Sequence, residues 1–246
     1  MSDLSDINEK LKFFITAPHE CSYLEGRMAV TLFADPERSL DHNTFTTLSE
    51  MGFRRSGCLV YTPRCPECCA CIPTRIGVNA FKPDRSQRRN LKMNSDLEVR
   101  LHEAHFSDQH IELYRRYIRN RHPGDSMDVE SREDVERFFL CDWSNTFFLE
   151  FLKGGEPIAL AVVDVLHSGL SAVYTVFDPA QAKRGLGVFA VLTLVEEAKR
   201  RNLPYVYLGY LIHESPKMAY KVRYQPLQEY HNGVWSGPFD VTLDLK

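Results

Sequence analysis

Four of the chain's seven cysteines fall within the stretch CPECCACIPTR, at Cys65, Cys68, Cys69 and Cys71. The C-x2-C-x2-C spacing of Cys65, Cys68 and Cys71 suits ligands to zinc or to an iron-sulfur cluster, and Cys21 in ECSYL is available as a distant fourth ligand. Without a metal, the same thiols would pack the turn that leads to Arg75. Cys58 and Cys141 have apolar neighbours and are expected in the core. None of the nine histidines falls at H-x-x-x-H or a comparable ligand spacing, which argues against a zinc hydrolase.

A second kind of chemistry overlaps the cysteines. From Gly52 to Lys92 there are nine basic residues (Arg54, Arg55, Arg64, Arg75, Lys82, Arg85, Arg88, Arg89, Lys92) against two acidic ones, Glu67 and Asp84. This local excess lies in a chain whose net charge is -3. Within it, RSQRR sets Arg85, Arg88 and Arg89 beside Ser86 and Gln87, a donor set matched to phosphate oxygens. A solvated surface is the alternative reading.

The elements that must position these groups belong to an ordinary globular chain of 246 residues, 43% hydrophobic and 26% charged. No apolar run is long enough to span a bilayer, and MSDLSDINEK is too acidic and polar for a signal peptide. A cytoplasmic location and no membrane partner are expected. The odd cysteine count and the crowding of four of them argue against a secreted disulfide framework.

Periodicity divides the chain near residue 100. Residues 1–100 read as short strands (RMAVTLFA, CLVYTP, TRIGVNAF) between turns, with a helix over Asp41 to Met51. In residues 101–246, FSDQHIELYRRYIRNRH has helical spacing, with Ser107 or Asp108 as N-cap and HPGD as the stop. SREDVERFFLCD predicts a second helix from Ser131. Three strands follow, in NTFFLEFLKGGEP, PIALAVVDVLHSG and LSAVYTVFDP, joined by hairpins at Gly154-Gly155 and Ser168-Gly169. LGVFAVLTLVEEAKRRN is then a periodic helix and PYVYLGY a short buried strand. This order predicts an α+β protein: an N-terminal cysteine-containing domain, then a domain of N-acetyltransferase (GNAT) type with a largely antiparallel sheet flanked by helices. Its turn AKRGLG, with Gly185 and Gly187, stands where such folds hold an acyl donor on backbone N-H groups, but Ala182 replaces the usual Gln or Arg.

Taken together, CSYLEGRMAVTLFADP, GFRRSGCLVYTPRCPECCACIPTRIGVNAFKPDRSQRRNLK, YTVFDP, GLG, YLGY and KMAYK resemble the aminoacyl-tRNA:protein transferases of the arginyltransferase family, from about Pro18 to Tyr230. The bacterial branch, which transfers leucine to proteins beginning with Asp or Glu, is the nearest in pattern. The resemblance implies that an aminoacyl ester on tRNA is attacked by the α-amine of an acceptor protein. The implied partners are leucyl-tRNA and proteins with N-terminal Asp or Glu, and transfer requires no cofactor. The physics agrees, because the ester is already activated and an α-amine of pKa near 7.7 to 8.0 is partly neutral. The tasks left are orientation, modest proton transfer and stabilisation of an oxyanion.

Roles follow from the matched motifs. Tyr174, Asp178, Tyr210 and Lys217 are candidates for the catalytic cleft. Tyr207, Gly209 and Tyr220, with Gly185 and Gly187, are candidates for substrate binding. Lys217 and Lys221 share a face if KMAYK is helical, and Lys221 joins Arg85, Arg88 and Arg89 as a tRNA contact. An arginine among Arg54, Arg55, Arg75 and Arg121 is expected to read the acceptor's carboxylate, and Arg75 is favoured by its place in a strand. Some members of the family hold a metal or cluster through an early C-x2-C and an adjacent Cys-Cys pair. Here Cys68 and Cys69 keep the pair, but Leu24 stands three residues after Cys21, which favours packed thiols over zinc or an iron-sulfur cluster. The alternatives are a coenzyme A-dependent N-acetyltransferase, a non-catalytic tRNA-binding or zinc-ribbon module, and arginine as the residue transferred.

Overall fold

The structure, a computed structural model, describes residues 11–121 and 131–237. In chain order the strands are β1 (Phe13–Ile15), β2 (His19–Glu20), β3 (Met28–Ala29) and β4 (Thr31–Ala34), followed by helix α1 (His42–Glu50). Next come β5 (Arg54–Ser56), β6 (Leu59–Pro63), β7 (Ile72–Gly77), α2 (Arg85–Met93), β8 (Glu98–Glu103), α3 (Asp108–Arg121) and α4 (Arg132–Phe139). The chain continues through β9 (Thr146–Lys153), β10 (Glu156–Val165), β11 (Gly169–Phe177), a 3-10 turn at Pro179–Arg184 and α5 (Leu186–Arg200). It ends with β12 (Tyr205–Leu211), a second 3-10 turn at Ala219–Arg223, β13 (Leu227–His231) and β14 (Val234–Ser236). The fold is α+β, with a large mixed sheet flanked by helices.

The chain forms two compact units, residues 1–76 with 208–246 and residues 77–207. This differs from a division near residue 100. The physical reason is antiparallel pairing of β13 with β7, in register Leu227 to Ile76 and Glu229 to Thr74, which returns the C-terminal segment to the first unit.

In the first unit, one four-stranded sheet has the order β1-β4-β6-β5 and a two-stranded ladder joins β2 to β3. A further set runs β14-β13-β7 to the C-terminal end of β12. Helix α1 starts where Asp41 accepts the N-H of Thr44 at 2.7 Å, so its carboxylate satisfies an otherwise orphaned donor.

In the second unit the strand order is β12-β11-β10-β9-β8. β8 to β11 are antiparallel neighbours, and β11 pairs in parallel with the start of β12. The β9-β10 turn uses Gly154 and Gly155 at φ 61° and 88°, positive values that a side chain would resist. β10 is buried from Pro157 to Asp164 with no exposed alternation, because it is covered on both faces. On one face Phe148, Leu160, Val162 and Val176 pack against Ile111, Tyr114 and Ile118 of α3 and Val135 and Phe139 of α4. On the other, Phe151 meets Phe189 of α5 with ring centroids 5.3 Å apart. Each such side chain, fully buried, contributes roughly 1.5–3 kcal/mol.

Candidate functional site

In the first unit the groups with chemical potential gather around Arg54 on β5. Gly209 on β12 has φ +74°, and a Cβ there would lie 3.1 Å from Arg54 Nε. Gly209 was expected among the substrate-binding residues, and what lies against it is a guanidinium. Tyr23, Tyr61, Tyr210 and Lys221 all lie within electrostatic reach of that charge. Burial holds the phenols un-ionised, pushing Tyr23 up to about 12 and raising Tyr61 and Tyr210. The Tyr210 hydroxyl donates to the carbonyls of Gly52 at 3.1 Å and Tyr61 at 3.3 Å, so it ties elements together.

Lys221 lies differently from the sequence expectation. Its side chain is 3% exposed, and Nζ donates to the carbonyl of Tyr210 at 2.6 Å and faces Met218 Sδ at 3.4 Å. A phosphate outside cannot reach it in that position. Burial, and then the charge of Arg54, bring its ammonium down to about 7. The segment KMAYK is a 3-10 turn from Ala219, and Lys217 precedes it, exposed. Lys217 thus lies before the turn and exposed, Lys221 within it and buried, so the shared helical face expected of them does not form. Tyr220 is 43% exposed and edge-on to Tyr224.

Two of the other candidate arginines, Arg75 and Arg55, have visible partners. Arg75 Nε donates to Gln228 Oε1 at 2.7 Å and its guanidinium lies 4.4 Å from the Trp235 ring centre. Arg55 is buried, with Nη1 on the carbonyl of Gly57 at 3.2 Å.

The cysteines form a neighbourhood of thiols. Cys71 is pushed up to about 12, by burial first and then by Cys21, Cys65 and Cys68. Cys65 Sγ accepts the N-H of Val30 at 3.4 Å and lies 3.7 Å from its carbonyl oxygen. Arg27 donates to Cys68 Sγ at 3.5 Å and pairs with Glu214 at 3.2 Å. Cys69 is exposed. Among the described residues, a set of three His, Cys, Asp or Glu ligand atoms within 4.8 Å of one another lies elsewhere, in the second unit. The thiols of Cys21, Cys65 and Cys68, the set expected as ligands with Cys71, all lie within electrostatic reach of Cys71. Cys58 is exposed rather than in the core, because it sits in the turn between β5 and β6, and Cys141 is half-buried. Both are disulfide-bonded, a state that a reading of reduced thiols did not anticipate.

In the second unit, RSQRR forms the start of α2, a helix the strand-and-turn reading missed. Its signal was present in the sequence: Asp84 accepts the N-H of Gln87 at 2.8 Å while Gln87 Oε1 accepts the N-H of Asp84 at 2.8 Å, a capping box. Arg85, Arg88, Arg89 and Lys92 are exposed on this helix. Asn90 Nδ2 donates to the carbonyls of Arg184 at 2.9 Å and Gly185 at 3.1 Å, and Asn94 Nδ2 reaches Arg184 O at 3.0 Å. The basic helix therefore braces the glycine turn that opens α5. Gly185 has φ +63°, and a Cβ would meet Asn90 at 2.8 Å, whereas at Gly187 nothing lies within 4 Å. Arg184 is paired with Asp96 at 2.8 Å, and Lys183 is exposed.

Asp178 accepts the N-H of Ala180 at 3.0 Å and caps the first 3-10 turn, as an Asp-Pro turn requires. Tyr174 packs edge-on to Tyr117 at 6.2 Å and against Phe139 at 5.6 Å. Tyr117 is hydrogen-bonded to Tyr174 and to Arg121, which is exposed at the end of α3. The HPGD stop expected after α3 lies outside the described residues. Tyr207 is buried, with its hydroxyl 2.9 Å from Ser168 Oγ.

Among solved structures, the C-terminal domain of a putative lysylphosphatidylglycerol synthetase from Agrobacterium fabrum matches 67% of this chain and 50% of its own, at 11% identity and TM-score 0.47. Relatives by sequence are far nearer. A protein of Marinobacter nauticus called aspartate/glutamate leucyltransferase is 48% identical over 92% of this chain and 95% of its own length. One of Alcanivorax borkumensis with the same name is 47% identical over 96% of each. Residues 19–89 match the N-terminal family model of the arginine-tRNA-protein transferases and residues 109–231 the C-terminal one. With both models matched in order along the chain, it belongs to the arginine-tRNA-protein transferase family.

Proposed function

We propose that this protein transfers leucine from leucyl-tRNA to the N-terminal α-amine of proteins beginning with Asp or Glu, forming a peptide bond, and that it does so in the cytoplasm. The observation that carries the reading is 48% identity over nearly the whole length of a relative named for that activity. The carbonyl carbon of the leucyl ester is attacked by the neutral amine, and the ribose oxygen of tRNA leaves. The exposed arginines of α2, braced against the glycine turn of α5, support a tRNA-phosphate contact in the second unit. The succession of antiparallel β9, β10 and β11, then α5 and parallel β12, supports reading that unit as an N-acetyltransferase-type domain.

Arg54 takes the role first assigned to Arg75, that of reading the acceptor's carboxylate. It is half-buried among phenols that burial keeps un-ionised, and its charge adds to burial in lowering the ammonium of Lys221. A carboxylate is stabilised in such a place and a neutral amide is not.

The test incubates peptides beginning with Asp, Glu, Asn or Gln with leucyl-tRNA, arginyl-tRNA, acetyl-coenzyme A or none of these. The expected product is a leucyl adduct on the acidic pair alone, read by mass. An arginyl or acetyl adduct, or no adduct at all, overturns the reading. Arg54→Gln is expected to lower kcat/KM for the Asp peptide about 10- to 100-fold, the loss of one charged hydrogen-bonding partner. Unchanged selectivity in that variant removes Arg54 from the role.

A further inference from the structure

A second cluster of ionisable groups lies at the edge of the sheet in the second unit. Its members are His102 on β8, Glu150 on β9 and His110 in the first turn of α3. β8 and β9 are antiparallel, with His102 opposite Phe148 and Arg100 opposite Glu150. His102 and Glu150 are therefore diagonal neighbours on the face that α3 covers. The imidazoles of His102 and His110 are stacked, 5.8 Å apart and 10° from parallel. One ligand atom from each of the three residues lies within 4.8 Å of the others.

The hydrogen bonds assign the protons. His102 Nδ1 is 2.9 Å from the backbone carbonyl of Glu103, which can only accept, so Nδ1 carries the hydrogen. In the neutral ring Nε2 then presents a lone pair, and it faces Glu150 Oε2 at 4.0 Å. Two acceptors thus confront each other across a gap with no donor between them. His110 is arranged the opposite way. Its Nδ1 accepts the N-H of Ser107 at 3.2 Å, so Nε2 holds the proton and donates to Glu150 Oε1 at 2.8 Å. A buried histidine that orients a carboxylate from behind is the usual outer partner of a metal ligand.

We propose that His102 Nε2 and Glu150 Oε2 bind a divalent cation of the zinc class, with His110 orienting the carboxylate. Nitrogen and oxygen ligands at about 2.0–2.2 Å from a tetrahedral ion stand about 3.4 Å apart, so the pair closes by roughly half an ångström on binding. The imidazole selects zinc or cobalt over magnesium or calcium. His102 is 34% exposed in its side chain, against 12% for Glu150 and 3% for His110, so the ion enters past His102 and water completes its shell. The ion joins the edge strand β8 to β9 next to the start of α3, and its effect is on stability.

The experiment uses tag-free protein stripped with a chelator and titrated with zinc chloride by calorimetry, with the melting temperature followed in parallel. Wild type is expected to bind one equivalent more than His102→Ala or Glu150→Gln. Saturating zinc should raise the wild-type melting temperature by roughly 5 °C or more, and this rise should vanish in both variants. Cobalt separates the site from the cysteines: nitrogen and oxygen ligands give visible bands without the near-ultraviolet thiolate band, and the visible component should be lost in His102→Ala. Equal stoichiometry and equal zinc-dependent melting in wild type and both variants, each with native circular dichroism before zinc is added, would mean that the gap takes only a proton, and the proposal falls.

Discussion

Lys221 illustrates how burial changes a residue's meaning. In KMAYK it reads as a surface cation, yet its ammonium is enclosed and held near pKa 7 by desolvation and by Arg54. The sign of its effect on stability follows from linkage. Between pH 7 and its ordinary 10.5, the unfolded chain retains a proton that the folded protein has released. Stability from this group therefore rises with pH across that window, is complete above it, and is flat below about 7. Lys221→Met removes the titration. Denaturant unfolding at pH 7, 8, 9 and 10 should show wild type gaining stability relative to the variant at each step, and parallel curves would place the lysine in solvent. Other residues were legible as kinds but not as contacts. Gly209 could be read as a substrate-binding candidate, but its neighbour Arg54 lies far away in sequence, and no local pattern joins them. His102, His110 and Glu150 escaped notice for the same reason, since they come from two strands and a helix and share no ligand spacing.

At the scale of elements, strong apolar periodicity was enough. The helices found at His42–Glu50, Asp108–Arg121, Arg132–Phe139 and Leu186–Arg200 and the hairpins at Gly154-Gly155 and Ser168-Gly169 match their patterns, because one face or both are buried. Helix α2 was missed because its side chains are mostly polar and only Gln87 is buried, so no apolar stripe marks it. β13 and β14 went unread as well; they are short and only partly buried. The finding that RSQRR is a helix sharpens the prediction about tRNA. Its arginines are held on a rigid element rather than a loop, and Arg88 is further fixed by a 2.6 Å bond to the carbonyl of Pro83. Joint replacement of Arg88 and Arg89 by Glu should weaken binding similarly for different tRNAs. The slope of log K against log salt should fall in magnitude by about one to two. A slope equal to that of wild type would take α2 out of the interface.

At the scale of the whole molecule, the family resemblance was visible because its motifs recur in order through both halves. The return of the chain end was not visible. No periodicity announces that β13 will pair with β7, roughly 150 residues away by its numbering. That pairing bears on synthesis. A ribosome makes residues 77–207 without interruption, so the second unit has all its strands before Leu227 to Glu229 of β13 emerge. Arg75, by contrast, must wait for Gln228, and β7 for Leu227 to Glu229. β7, though made earlier, is completed later. Stalled nascent chains ending near residue 207 should show protease cleavage around β7 that disappears once residues through 237 have emerged; protection of β7 in the shorter chain would count against this order. A nonsense mutation upstream of Leu227 would then take from β7 its partner strand as well as removing β13.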